Sequence, residues 1–210
     1  MRLHLIGLAT ATSALLGGCA TVSVYEAATF TEVKLTAPQS ALHKASDDFC
    51  DTARDAGWAS GESNFAKLAK MFGSDEQETP AYWKKLKRNK PTSGQVAERI
   101  SLDARLAADS LANVNELARV LIHSTTASRP PSKSDIVDFE RVLIHAGQAR
   151  DAFSFAWDKG VSINDLHGAA SKDLAIRALD DELNIARKLA DQLAAARMVQ
   201  AMSALEEAAS

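Results

Sequence analysis

The most regular pattern in the chain is an apolar stripe between Gln95 and Thr126, a stretch that contains neither proline nor glycine. The stripe has members at intervals of three and four residues: Val96, Ile100, Ala104, Ala107, Leu111, Val114, Ala118 and Leu121. This spacing predicts a long helix that packs against nearly antiparallel neighbours in a bundle. Alanine accounts for 39 of the 210 residues, which favours helix formation and lets helices approach closely. We therefore expect an all-α fold.

Further helices are predicted on both sides of this stripe. On the N-terminal side they cover Ala37 to Gly57 with Thr36 as cap, Glu62 to Phe72, and a segment from Thr79-Pro80 through Leu86. On the C-terminal side, Pro130-Pro131 interrupts the chain, and Ser132 or Ser134 can cap a helix that runs to about Lys159. The side chains expected to line its buried face are Ile136, Phe139, Leu143, Ala146, Phe153 and Ala156.

A final long helix opens at Asn164 or Ser171. Its expected core stripe consists of Leu174, Leu179, Leu183, Ala186, Leu189, Leu193 and Met198. The predicted architecture for residues 37–210 is a single all-helical domain. It contains a bundle of three long helices, running up, down and up, with the shorter N-terminal helices packed on one side.

The first eighteen residues differ from the rest of the chain. They contain no acidic group, carry Arg2 near the start and continue into a leucine-rich stretch. That apolar stretch is about fourteen residues long, whereas a helix that spans a bilayer needs roughly twenty. The pattern is typical of a signal peptide.

This segment ends in Leu16-Gly17-Gly18-Cys19, which resembles the lipobox of bacterial lipoprotein precursors. The resemblance implies cleavage between Gly18 and Cys19, lipidation of the Cys19 thiol, and a tether over residues 19–36. Ala20, where an aspartate would direct retention in the inner membrane, implies the periplasmic face of the outer membrane. The alternative is an ordinary cleaved signal peptide in which Cys19 has no special role.

Charge constrains the partners of the chain. It has 24 basic and 27 acidic side chains, a net charge of −3, which does not favour nucleic acid as a partner. The segment from Tyr82 to Pro91 departs from this average because it concentrates five cations beside two aromatic side chains: Lys84, Lys85, Lys87, Arg88 and Lys90. The favoured interpretation is a solvated helix end and loop. The alternative is that these cations contact anionic lipid headgroups or an acidic envelope polymer.

Other chemically capable side chains give weaker signals. If Cys19 is acylated, Cys50 is the remaining thiol, and it suits either a small buried apolar position or an intermolecular disulfide. Neighbouring carboxylates are expected to raise its pKa. His123 and His145 end two copies of Arg-Val-Leu-Ile-His, but a hairpin between them would place them at different heights, so no shared metal is expected.

No phosphate-binding loop, nucleophile elbow or zinc-protease motif occurs in the sequence. We therefore predict no catalytic residue, metal or cofactor. The predicted function is that of a non-enzymatic, membrane-anchored periplasmic lipoprotein whose helical bundle serves as an envelope structural or protein-interaction module. Its expected partners are the membrane, through the acyl chains, and an envelope protein or polymer. The alternative function is a periplasmic bundle that binds a lipid, a small apolar ligand or a metal.

Overall fold

The computed structural model describes residues 37–59, 80–124, 131–163 and 171–209. These residues form five helices: α1 (Ala37–Asp55), α2 (Ala81–Lys87), α3 (Ser93–Ser124), α4 (Lys133–Gly160) and α5 (Lys172–Ala209). Because the described ranges contain helices and no strand, the predicted all-α class is confirmed. The predicted signal peptide, the tether and the helix expected over Glu62–Phe72 lie outside these ranges. The up-down-up course of three long helices stays a prediction.

The apolar stripe of α3 is buried along its whole length. Each of its eight predicted members is less than 5% exposed, and the alanines at positions 107 and 118 are completely enclosed. Burial of these small side chains lets neighbouring helices pack closely against α3. The most extensive contact of α3 is with α5, where the buried Asn115 side chain donates to the backbone oxygen of Glu182 at 3.0 Å.

The stripe predicted for α5 is correct in its middle and wrong at both ends. Leu179, Leu183 and Leu193 are buried, but Leu174 is 61% exposed and Met198 is 67% exposed. Met198 is five residues beyond Leu193, which turns it about 140° away from the buried face at 100° per residue. Near the C-terminal end of α5, the apolar residues therefore move to a different face of the helix.

A polar interface joins α1 to α4. The Gln39 amide donates to the Asp135 carboxylate at 3.0 Å, and Asp135 also forms a capping box with Ser132 at the start of α4. One turn along both helices, His43 Nδ1 lies 2.5 Å from Asp138 Oδ2. These pairs advance in the same direction, so α1 and α4 run parallel and both begin at one end of the bundle.

The other end of α1 is held by aromatic packing. Phe153 of α4 is completely buried, and its ring meets Trp58 edge-on at a centroid distance of 5.8 Å and Tyr82 of α2 at 5.0 Å. Such edge-to-face contacts add to the free energy gained from burial alone. Phe153 therefore connects the end of α1 and the short helix α2 to the same turn of α4.

We predict that the α1–α4 interface weakens as the pH rises. The hydrogen bond with Asp138 raises the pKa of His43, with further contributions from the negative charges of Asp138 and Asp47. The resulting stabilisation is complete below the unfolded-state value of about 6.5 and is lost as the pH rises through the higher folded-state value. Because His43 is half-exposed, the effect should amount to about 0.2–1 kcal/mol.

Urea unfolding from pH 5 to 9 of the wild type and His43→Gln measures this effect, because the difference between them isolates the contribution of the imidazole. The wild type should lose its advantage at high pH. His123→Gln, at an exposed position, controls for removal of an imidazole in general. A wild-type advantage that is independent of pH would contradict the prediction.

Candidate anion-binding surface

The short helix α2 is held to the bundle through Tyr82. This side chain is 3% exposed, and its hydroxyl donates to Asp103 Oδ2 of α3 at 2.8 Å. Burial raises the pKa of Tyr82, and the negative charge of Asp103 raises it further. The phenol therefore stays protonated and remains a hydrogen-bond donor at physiological pH.

The acceptor, Asp103, is a carboxylate that is 1% exposed. Its Oδ2 atom also accepts a hydrogen bond from Arg99 Nε at 2.8 Å, and this bond raises the pKa of Arg99. A buried carboxylate is costly unless it is paired, and here a cation and a phenol share it. Asp103 was not predicted from the sequence as a functional residue, although its position three residues after Ile100 and four before Ala107 places it within the buried stripe.

The neighbouring Trp83 is positioned by a glycine. The half-buried indole lies against the last residue of α4, and a Cβ added to Gly160 would stand 2.7 Å from its Cζ3 atom and 2.8 Å from Val96 Cγ1. Real Cβ atoms do not approach other atoms so closely. Gly160 therefore provides the space that lets Trp83 contact the bundle.

With Tyr82 buried and Trp83 half-buried against Gly160, the cations of α2 are left exposed. Trp83, Lys84, Lys87 and Arg88 line a shallow hollow of about 470 Å³, and these four residues are called the α2 basic surface below. The three cations are spaced by three and four residues, so they lie on one side of the helix. Within the described ranges, no carboxylate forms an ion pair with any of them.

The other two predicted contact residues lie apart from that hollow. Lys85 Nζ donates to the backbone oxygen of Asp55 at 2.8 Å, where a cation also stabilises the C-terminal dipole of α1. Lys90 follows the helix with a φ of 47°, in the left-handed region that costs a non-glycine residue about 1–2 kcal/mol. The structure therefore brings together three of the five cations that the sequence singled out.

A second hollow, of about 310 Å³, lies on the opposite side of α2. Lys85 and Arg99 contribute cations to its lining, and Asn89 and Gln95 contribute amides. Asp103 also lines it, although the Oδ1 atom of this carboxylate is buried and has no hydrogen-bond partner in the part of the chain that the structure describes. Positive side chains therefore line hollows on both sides of α2.

The remaining sequence candidates lie elsewhere. Cys50 is free and 2% exposed, and burial, more than the carboxylate of Asp47, raises its pKa. His145 is half-buried, and burial together with the nearby arginines Arg54 and Arg141 lowers its pKa, whereas His123 is exposed. Gly18 and Cys19 lie outside the described residues.

Within residues 37–59, 80–124, 131–163 and 171–209, no three His, Cys, Asp or Glu side chains are grouped so that they could hold a metal ion. None of the five helices has the length and the apolar composition that crossing a membrane requires.

Comparison of the chain with protein-family models, with curated proteins and with solved structures finds no match in any of the three. The α2 basic surface therefore has to be interpreted from its own geometry and charge.

We predict that Gly160→Ala displaces Trp83 and distorts the α2 basic surface. The added methyl group overlaps the indole and Val96, and overpacking of this kind costs about 1–3 kcal/mol. The measurements are urea unfolding and the NMR resonance of the Trp83 indole N–H, assigned with Trp83→Phe. We expect a lower unfolding free energy and a shifted indole resonance.

Gly147→Ala is the matched control, because it lies within the same helix and a Cβ there meets nothing within 4 Å. Since alanine favours helix over glycine, this variant should gain up to about 1 kcal/mol. If Gly160→Ala were as stable as the control and left the indole resonance in place, Gly160 would not be what positions Trp83.

Proposed function

We propose that this chain is a lipid-anchored, non-enzymatic periplasmic protein whose helical bundle binds an anionic envelope polymer through the α2 basic surface. The observation that carries the proposal is the group formed by Lys84, Lys87 and Arg88 around Trp83. These cations lack ion-pair partners among the described residues, although the chain as a whole is acidic. A polymer of acidic sugars suits such a surface because its charges pair with the cations and its rings pack on an indole.

The α2 basic surface is distant from the residue at which the tether joins the bundle. The tether joins the bundle at Ala37, where α1 begins, whereas Lys85 of α2 contacts Asp55, the last residue of α1. The 19 residues of α1 separate these two ends by about 28 Å at 1.5 Å per residue. The α2 basic surface therefore lies at the end of the bundle away from its tether.

The anchor itself is proposed from the resemblance of Leu16-Gly17-Gly18-Cys19 to a lipobox. Acyl chains on Cys19 would hold the bundle at the periplasmic face of the outer membrane, since two or more chains give durable attachment. The alternative function, a lipid, small apolar ligand or metal held by the bundle, stays a hypothesis to which the α2 basic surface adds no support.

Replacing Cys19 tests the anchor. The full-length Cys19→Ala chain should leave the membrane fraction and move from the detergent phase to the aqueous phase in a phase-separation assay, because it has no thiol to acylate. Cys50→Ala is the matched control and should partition like the wild type, since this thiol is buried inside the bundle. Unchanged partitioning of Cys19→Ala would refute the anchor.

Charge reversal tests the α2 basic surface. The triple variant Lys84→Glu, Lys87→Glu and Arg88→Glu should bind polygalacturonate, a polymer of uronic acids, at least about tenfold more weakly than the wild type. The affinity of the wild type should also fall between 50 and 300 mM salt, because exposed charges are screened. Titration calorimetry at both salt concentrations, with neutral dextran as the reference polymer, measures this.

The matched control carries the same change in charge on α3 and α5, as Arg105→Glu, Arg187→Glu and Lys188→Glu at exposed positions, and should bind like the wild type. A further variant, Lys90→Gly, removes a cation that lies apart from the α2 basic surface. It should remain folded and gain stability because glycine adopts the left-handed backbone conformation without strain. Equal loss of binding in both triple variants would show that binding depends on net charge and not on the α2 basic surface. Wild-type binding to vesicles of anionic lipid but not to the polymer would overturn the choice of partner.

A further inference from the structure

Helix α5 continues beyond the helices it packs against. Lys172 pairs with Asp158 at 2.8 Å and Asp180 with Arg150 at 3.0 Å, so α5 runs antiparallel to α4 with a constant register. Continued at 1.5 Å per residue, this register places Lys133, where α4 begins, level with about Arg197 of α5. Residues 197–209 then project about 20 Å further and are called the α5 extension below.

The α5 extension carries an apolar face of its own. Met198, Met202 and Leu205 are 60–70% exposed and follow each other at intervals of four and three, which puts them on one side of the helix. Val199, 66% exposed, flanks this side together with Glu206, and Glu207 lies on the opposite side of the helix. The other large exposed apolar side chains of the described ranges lie outside residues 197–209.

This face is not a continuation of the buried stripe of α5. From Leu193 to Met198 the helix turns by about 140°, so the apolar side chains change direction close to the level at which α4 begins. The large apolar side chains of the extension are therefore directed away from the buried stripe of α5.

The α5 extension projects from the end of the bundle that the tether joins. Gln39 hydrogen-bonds to Asp135, so α1 begins at the end of the bundle from which the α5 extension projects. The chain before Ala37 therefore joins at this end, and the 17 residues from Ala20 to Thr36 span at most about 60 Å. Under the proposed function, the membrane that holds Cys19 is reached from here.

We propose that the apolar face of the α5 extension inserts into the boundary between headgroups and acyl chains of the membrane that anchors the protein. This inference rests on the proposed function. An amphipathic helix lies in that boundary with its apolar side buried. Four apolar side chains cover too little surface for a dimer, which needs about 1,200 Å² in total, whereas a tethered helix needs no stable affinity of its own.

The first experiment places a nitroxide at Met202→Cys in the full, lipidated chain bound to vesicles of phosphatidylethanolamine and phosphatidylglycerol. Cys50 is buried and Cys19 is acylated, so labelling should be selective. We expect the label to be more accessible to oxygen than to a water-soluble relaxant. Leu106→Cys on α3, where the side chain is 48% exposed, is the control and should report water. An aqueous signal at position 202 on vesicle-bound protein would overturn the inference while leaving the anchor intact.

The second experiment uses the unacylated Cys19→Ala chain at saturating vesicle concentrations. We expect weak partitioning, which Met198→Glu, Met202→Glu and Leu205→Glu together reduce at least tenfold. Leu102→Glu, Leu106→Glu and Val137→Glu, at other exposed apolar positions, should leave the partitioning unchanged. Absence of any partitioning overturns the inference. Concentration-dependent dimers in sedimentation that the first triple variant abolishes also overturn it, because a second copy would then cover this face.

Discussion

The position of the α2 basic surface depends on the burial of one aromatic ring. Phe153 contacts Trp58, which follows α1, and Tyr82, which belongs to α2, so one side chain of α4 holds both segments. A helix of seven residues has too few hydrogen bonds to be stable in isolation, and α2 exists because this contact and the contact of Trp83 with Gly160 fix it. An apolar contact inside the bundle therefore decides where the exposed cations lie.

The hydrogen bonds that link Tyr82, Asp103 and Arg99 orient the Tyr82 ring within that contact. An aromatic ring in an apolar pocket can still shift its position. A hydrogen bond from the phenol to a buried carboxylate fixes the position and the orientation of the ring. Arg99 supplies the charge that makes the burial of Asp103 tolerable, and it does so from a position that is itself more than half exposed. The same arginine lines one of the two hollows beside α2, so it contributes both to the stability of the fold and to the surface.

The sequence predicts the helices well because their signals are local. The α3 stripe and the Ser132 cap depend on spacing within one turn or a few, and both are present in the structure. The prediction that Met198 belongs to the core stripe is wrong because the spacing of apolar residues carries no information about the length of the neighbouring helix. Asp103 was missed because a carboxylate is expected in solvent unless its partners are known, and one of them, Tyr82, is 21 residues away. Lys84 and Lys85 are likewise equivalent in sequence, and only the end of α1 distinguishes them.

The parallel pairing of α1 and α4 bears on the order in which the molecule assembles. Its hydrogen bonds join residues separated by 94 to 96 positions, which makes them among the least local contacts in the bundle. Synthesis proceeds from the N-terminus, so α1 is complete long before Asp135 or Arg141 exists to receive it. Closing so long a loop delays the contact further. Until α4 is made, the apolar side of α1, with Leu42 and Phe49, therefore has α3 but not α4 to pack against, and part of it stays exposed.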